Sequence, residues 1–288
     1  MDNMTLPHDL ELSRITSDKL AALKTILKEM NSAVVAYSGG VDSAFLLKAA
    51  VDELGNRVLA VTADSQTIPR AELEAATRLA RLLGARHLIV NTNELSDPQF
   101  AANPPDRCYH CKKALFATLT KIAHDKQIAY VIEGSNLSDL SDYRPGMKAV
   151  DQFRVRSPLK EAGLTKDEIR FLSREAGLPT WDKPAAPCLS SRIPYGSKIT
   201  EERLRRIEDA EAFLHELGFR VLRVRDHGPV ARIEVPKADL PRMLTDDLSQ
   251  RVGEKLRELG FQYVTVDLSG FRSGSLNEAL VRKPDGQE

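Results

Sequence analysis

The sequence predicts an α/β protein: a doubly wound parallel sheet followed by a second, smaller α+β domain. Three observations carry this. Short, β-branched apolar runs alternate with stretches of helical spacing between Ala33 and Ala176, joined by short links. The first run meets its helix through a glycine pair, Gly39-Gly40. From Thr200 the order changes to a charged helix and closely spaced strands. A chain of 288 residues, 42% of them hydrophobic, suffices for one large domain or two ordinary ones. The expected division is 1–196, 197–273 and a frayed, disordered tail at 274–288.

Residues 16–30 (TSDKLAALKTILKEM) read as an amphipathic helix with Ser17 as N-cap. Ala33–Tyr37 reads as a buried parallel strand and Asp42–Leu54 as its helix. Arg57–Ala63 is the second strand. Pro69 opens a helix to about Leu83, where Gly84 suits the C-cap. Ala85–Val90 is the third strand, and residues 91–107 are a polar, proline-containing loop. A helix over Ala114–Asp125, a strand over Ile128–Glu133 and a helix over Thr165–Ala176 continue the series. Residues 178–196 form a long loop with four prolines and the only tryptophan, Trp181. A loop of that length calls for a binding or lid role. Beyond it, Glu201–Leu217 is a helix, Phe219–Arg225 and Val230–Val235 are strands, Asp239–Leu259 is helical, and Phe261–Leu268 is the last strand.

The turn Ser38-Gly39-Gly40 has chemistry in it. Two glycines let the backbone approach a ligand, and the following helix start offers free N–H groups and a positive dipole end to an anion. Ser38 and Ser43 add hydroxyls. Neither phosphate-loop pattern fits: no lysine follows Gly40, as G-x4-G-K-[ST] requires, and G-x-G-x-x-G is absent. The motif S-G-G-V-D-S resembles the PP-loop of the ATP pyrophosphatases, whose domain is of the adenine nucleotide alpha hydrolase type. That resemblance implies cleavage of ATP between the α- and β-phosphates, with magnesium, and adenylation of a substrate. It makes Ser38, Gly39, Gly40, Val41, Asp42 and Ser43 phosphate-binding residues, with Asp42 and Ser43 in catalysis. Ligands of such sheets lie beyond the carboxyl ends of the strands. The segment Thr62-Ala63-Asp64 is expected to hold adenine and ribose by main-chain contacts. Gly134 and Asn136, after the fourth strand, are a further wall of the pocket. Asp139 and Asp142 are candidates to assist magnesium, against the alternative of a solvated turn.

Three cysteines are an odd count, which suits thiols or metal ligands better than a disulfide framework. Cys108 and Cys111 form a C-x2-C on a loop ahead of a helix. That spacing admits zinc, an iron–sulfur cluster, a redox disulfide or nothing. His110 between them reads as solvated. Cys188 lies in the long proline-rich loop, with Arg192 four residues on as a basic neighbour that would favour its thiolate. Arg223 and Arg225 alternate along one strand, so both leave on one face and suit a phosphate, or else form a solvated sheet face.

Lys+Arg and Asp+Glu are both 41, so there is no basic excess of the kind nucleic-acid binders show. No apolar run approaches the ~20 residues of a membrane helix, and the N-terminus has no secretory pattern. A cytoplasmic protein is expected.

Taken with VTADS, EGSN…SDYRPG, APCLSSRIPYG and RVRDHG, the S-G-G-V-D-S motif makes the chain similar to the LarE family over both domains, from about Ser17 to Arg272. These are the ATP-dependent sulfur transferases of nickel-pincer nucleotide synthesis. The resemblance implies a small-molecule substrate, pyridinium-3,5-dicarboxylic acid mononucleotide, whose carboxylates are adenylated and then attacked by sulfur. It implies substrate contacts at Arg192, Arg223, Arg225, Glu133 and Asp142, and a homo-oligomer. Some members spend the sulfur of the loop cysteine, here Cys188. Others carry three cysteines resembling ligands of a [4Fe-4S] cluster, and Cys108, Cys111 and Cys188 fit that kind, with sulfide or another sulfur donor as co-substrate. Two other readings stand beside this one: a PP-loop tRNA thiolase with a three-cysteine cluster, and a non-catalytic nucleotide-binding zinc protein.

Overall fold

The structure, a computed structural model, describes residues 7–141, 145–272 and 274–277. The expected contact residue Asp142, and the expected tail beyond residue 277, lie outside them. The chain forms two compact units. One takes the residues up to Thr92 and Asp106–Ala186; the other takes Asn93–Pro105 and the chain from Pro187.

In the first unit, α1 (Pro7–Met30) leads into β1 (Ala33–Ala36), α2 (Val41–Leu54), β2 (Val58–Asp64), α3 (Arg70–Leu82) and β3 (Arg86–Asn91). The second unit holds the short α4 (Pro98–Ala101). The first unit resumes with α5 (Arg107–Asp125), β4 (Tyr130–Ile132), α6 (Met147–Gln152), α7 (Pro158–Glu161) and α8 (Lys166–Glu175). Its four strands are parallel in the order β3-β2-β1-β4. Both faces are covered. Ala33, Val35, Val58 and Ala60 pack under α1, α2, α3 and α8. Val34, Leu59 and Val61 face Phe116, Leu119 and Ala149 of α5 and α6. Alternate residues of one strand thus enter opposite cores, which is why the strands read as continuous apolar runs. The fold class read from the sequence is what is found.

Several boundaries differ from expectation. The N-terminal helix starts at Pro7, because nothing breaks the pattern before residue 16. The helix read as starting at Ala114 starts at Arg107, with Asp106 at its N-cap after Pro104-Pro105, so Cys108 and Cys111 sit in its first turns and not on a loop. Residues 93–105 belong to the second unit, where Asn103 donates its side-chain amide to the carbonyls of Pro194 (2.8 Å) and Ser197 (3.0 Å).

In the second unit, α9 (Glu201–Glu216) packs on an antiparallel pair, β5 (Arg223–His227) and β6 (Val230–Glu234). The helical region then divides into α10 (Leu240–Met243) and α11 (Asp246–Glu258), and β7 (Tyr263–Val266) pairs parallel to β6. The unit begins at Pro187, ahead of the expected residue 197. The first strand begins at Arg223 and not Phe219, because its ladder is only as long as β6, with Arg223 opposite Glu234. Residues 275–277 of the expected tail form a helical turn. No helix of the described residues is long and apolar enough to cross a membrane.

Candidate active site

The order β3-β2-β1-β4 reverses direction between β1 and β4, so a crevice opens there beyond the strand ends. The loop 38–40 leaves β1 into this crevice. Gly39 has φ +72°, and a Cβ on it would lie 2.6 Å from the Cβ of Ala76 in α3. Only glycine fits such a position. The first helical bond of α2 runs from Ala44 N to Gly40 O, so the N–H groups of Val41, Asp42 and Ser43 precede the helical ladder. Ser43 is buried, and its hydroxyl lies 3.1 Å from that of Ser38 and accepts from Ser38 N (3.3 Å). The two serines brace the turn from inside.

The β4 exit forms the facing wall. A Cβ on Gly134 would lie 3.0 Å from Ser43 N, so this glycine allows the two loops to touch. Asn136 is buried and closes its own turn: its Oδ1 accepts from Ser138 N (2.9 Å), and its N–H donates to Asp139 Oδ2 (3.0 Å). Asp139, a magnesium candidate from the sequence, thus holds the loop. Glu133 is buried and accepts from Ser135 N (3.1 Å), Ser135 Oγ (2.8 Å) and Ser157 Oγ (2.6 Å). Lys112 of α5 stands 3.6 Å from it. The residue after Cys111 thus reaches the carboxyl end of β4, and the C-x2-C helix belongs to the same edge of the sheet as the glycine loop. Cys108 is exposed and Cys111 half-buried.

At the end of β2, Arg70 pairs with Asp64 and donates to Ser65 O (2.6 Å). Thr62 donates to Tyr37 O (2.7 Å), so His87 Nε2, at 2.8 Å, donates to the Thr62 hydroxyl. Burial lowers the His87 pKa below its usual 6.5. The unfolded chain therefore binds this proton more readily, and stability is expected to be full above about pH 6.5 and to decline as pH falls below it. Urea midpoints at pH 8 and pH 5.5 should differ less in His87→Asn than in the wild type; equal differences would remove His87 as the cause.

Two lysines complete the loop's surroundings, and sequence patterns gave no sign of either. Lys166, the first residue of α8, donates to Asp42 Oδ2 at 2.6 Å. Lys183 donates to Gly39 O at 3.1 Å and pairs with Glu72 at 2.7 Å. The other oxygen of Asp42, Oδ1, is buried with no hydrogen-bond partner among the described residues.

In the second unit the arginines singled out in the sequence converge, but as buried ion pairs and not as a solvated face. Arg192 donates to Glu211 through Nε (3.0 Å) and Nη2 (2.8 Å). Arg225 does the same to Glu234 (3.0 and 2.8 Å). Arg223 lies over the Phe271 ring, 5.3 Å from its centroid. Burial, then the nearby charges of Arg192 and Arg225, push its pKa down to about 10, so it stays charged at neutral pH. The cysteine loop rests on this cluster: Arg192 donates to the carbonyls of Pro187 and Cys188, and Arg225 to that of Ser191 (2.8 Å). Arg192 was expected to act on the Cys188 sulfur; its fork instead meets Glu211 and the backbone. Among the described residues no group of three or more His, Cys, Asp or Glu side chains stands together as a metal site.

A glycine–serine turn at the switch point of a 3-2-1-4 parallel sheet, with no lysine of its own, defines a nucleotide-binding domain of the PP-loop class. The comparisons agree: the family model "Queuosine biosynthesis protein QueC" matches residues 32–102. An uncharacterized protein of Synechocystis sp. is 44% identical over 92% of this chain and 98% of its own length. The pyridinium-3,5-bisthiocarboxylic acid mononucleotide synthase of Lactiplantibacillus plantarum is 41% identical over 92% of this chain and 95% of its own. An uncharacterized protein of Methanocaldococcus jannaschii is 30% identical over 88% and 98%. The chain belongs to the LarE family.

Proposed function

We propose that this chain is an ATP-dependent sulfur transferase acting on pyridinium-3,5-dicarboxylic acid mononucleotide. The observation that carries the reading is the loop from Ser38 to Ser43, placed at the switch point with its amides free of the helical ladder, in a chain 41% identical to the named synthase. ATP is bound with its phosphates at the loop, and Thr62–Asp64, Gly134 and Asn136 line the nucleotide. A substrate carboxylate attacks the α-phosphorus, pyrophosphate leaves, and the carboxyl is held as a mixed anhydride with AMP. A sulfur nucleophile then adds to the activated carbon, AMP departs, and a thiocarboxylate remains. The second carboxylate is treated likewise. Asp42 Oδ1, a buried oxygen with no hydrogen-bond partner among the described residues, is the atom that fits a magnesium ion accompanying the phosphates.

Cys108 and Cys111 are three positions apart on α5, so their side chains share a face of the helix. That spacing fits two ligands of one cluster, and we propose Cys188 as the third. A [4Fe-4S] cluster held so would supply sulfide on the iron that no thiolate occupies. The chain's own alternative donor is the Cys188 sulfur, which would leave as thiocarboxylate with dehydroalanine behind. We assign the mononucleotide phosphate to Arg223, which stands among the charges of Arg192, Arg225, Glu211 and Glu234, with Glu133 and Asp142 as further substrate contacts. The protein is expected to work in the cytoplasm as a homo-oligomer.

Anaerobically reconstituted protein with MgATP and the dicarboxylate should release AMP and pyrophosphate, and Asp42→Ala or Ser43→Ala should abolish that release. ADP and phosphate as primary products would overturn adenylation. The cluster form predicts about four irons per chain, repeated turnover with sulfide, and loss of both in Cys108→Ala. If Cys108→Ala keeps full activity while Cys188 loses one sulfur mass, the single-use cysteine is the donor.

A further inference from the structure

The PP-loop has no lysine of its own, yet two ammonium groups stand on it from later in the chain. We infer that Lys166 and Lys183 are the cations that bind the β- and γ-phosphates of ATP and stabilise the departing pyrophosphate. This deepens the proposed reading and rests on it. Both tips are within hydrogen-bond range of loop atoms, at Asp42 Oδ2 and Gly39 O, and both lie in the same unit as the loop.

Both bases are fixed. Lys166 begins α8, whose start is closed by a capping box between Thr165 and Glu168, and Glu168 is held by Lys19 at 2.7 Å. The Lys166 N–H also donates to Ser138 Oγ (3.1 Å), on the loop that forms the opposite wall. The Lys183 carbonyl accepts from Arg170 (2.9 Å), which also donates to Trp181 O (2.7 Å). The two long side chains therefore carry a charge to defined places. Each is neutralised at rest by one carboxylate, Asp42 for Lys166 and Glu72 for Lys183. These side chains keep between 19% and 35% of their surface exposed, so an incoming anion can compete for the ammonium groups. Pyrophosphate gains negative charge as the α–β bond breaks, and cations already in position stabilise that charge without reorganisation. A magnesium ion on Asp42 would take over the charge that Lys166 releases.

The test uses inorganic pyrophosphate and AMP as separate probes by calorimetry with magnesium, on wild type, Lys166→Met, Lys183→Met, Lys183→Arg and Glu72→Gln. Each Met variant should bind pyrophosphate at least about tenfold more weakly, the scale of a hydrogen bond to a charged group, with AMP affinity within about twofold. Lys183→Arg should recover part of the loss. Glu72→Gln removes the competitor and should tighten pyrophosphate binding several-fold, which a purely structural Lys183–Glu72 bridge would not do. Unchanged pyrophosphate affinity in both Met variants, or a Glu72→Gln variant that binds no tighter, would overturn the inference while wild type still binds ATP. Wild type that binds neither ATP nor pyrophosphate would overturn the loop's reading as an ATP site and the inference with it.

Discussion

Gly39→Ala is expected to reduce ATP-dependent turnover by at least about a hundredfold, the scale of a misplacement near 1 Å at a reacting centre. Two costs combine. A left-handed φ of +72° costs an L-residue roughly 1–2 kcal/mol. The new methyl would also stand 2.6 Å from Ala76 Cβ and 2.9 Å from Ala76 Cα, so either the loop or α3 must move. The loop yields more easily, because α3 is anchored by Ala76, Leu79 and Ala80 in the core. Its displacement withdraws the Val41–Ser43 amides and the Gly39 carbonyl from the geometry that Lys183 meets. Adding Ala76→Gly removes the clashing methyl, at ~1 kcal/mol of helix propensity, and should restore part of the activity, while the φ cost and the 2.9 Å approach to the Cα of residue 76 remain. Steady-state rates for wild type and these two variants check this. Full activity in Gly39→Ala alone would show that the close approach of loop and helix is not needed.

Arg192→Ala is expected to destabilise the second unit by about 3–5 kcal/mol, the cost of leaving a buried charge without its partner. Arg192 is 3% exposed and Glu211 8% in their side chains, and the two-pronged bond between them fills both carboxylate oxygens. Val224 N also donates to this carboxylate (2.9 Å), and a neutral amide does not replace the lost charge. Arg192 also holds the backbone at Pro187 and Cys188, so the cysteine loop should loosen in the same variant. Arg192→Met with Glu211→Met removes both charges and should cost clearly less than Arg192→Ala, the non-additivity of a coupled pair. Arg223→Met behaves differently. It should mainly raise KM for the mononucleotide, by the equivalent of roughly 1.5–3 kcal/mol, and leave ATP affinity alone. Urea unfolding separates the first effect from the second. An Arg192→Ala protein as stable as wild type would show that Glu211 finds water or another donor.

Much of the first unit was legible in the sequence because its signals are local. Strand and helix periods and the glycine turn each act over a few positions, so Ala33–Ala36, Val41–Leu54 and Lys166–Glu175 were found nearly to the residue. The C-x2-C spacing was visible too, but its helix was started too late. Pro104-Pro105 lie in a loop as read, but the helix begins soon after them, at Arg107 and not at Ala114.

What the chain's composition could not express is who partners whom. Arg223 and Arg225 were correctly placed on one strand face, yet their alternation is the same whether that face meets phosphate, water or buried glutamates. For Arg225 it was Glu234 that decided, and it comes from the neighbouring strand. Likewise the missing loop lysine was a true reading of residues 38–43, while its replacements lie 124 and 144 positions from their contacts. Periodicity and motif spacing are fixed by bonds along the chain. A charge seeks its counter-charge through space, and only packing the sheet and its helices determines which side chains end within 3 Å of one another.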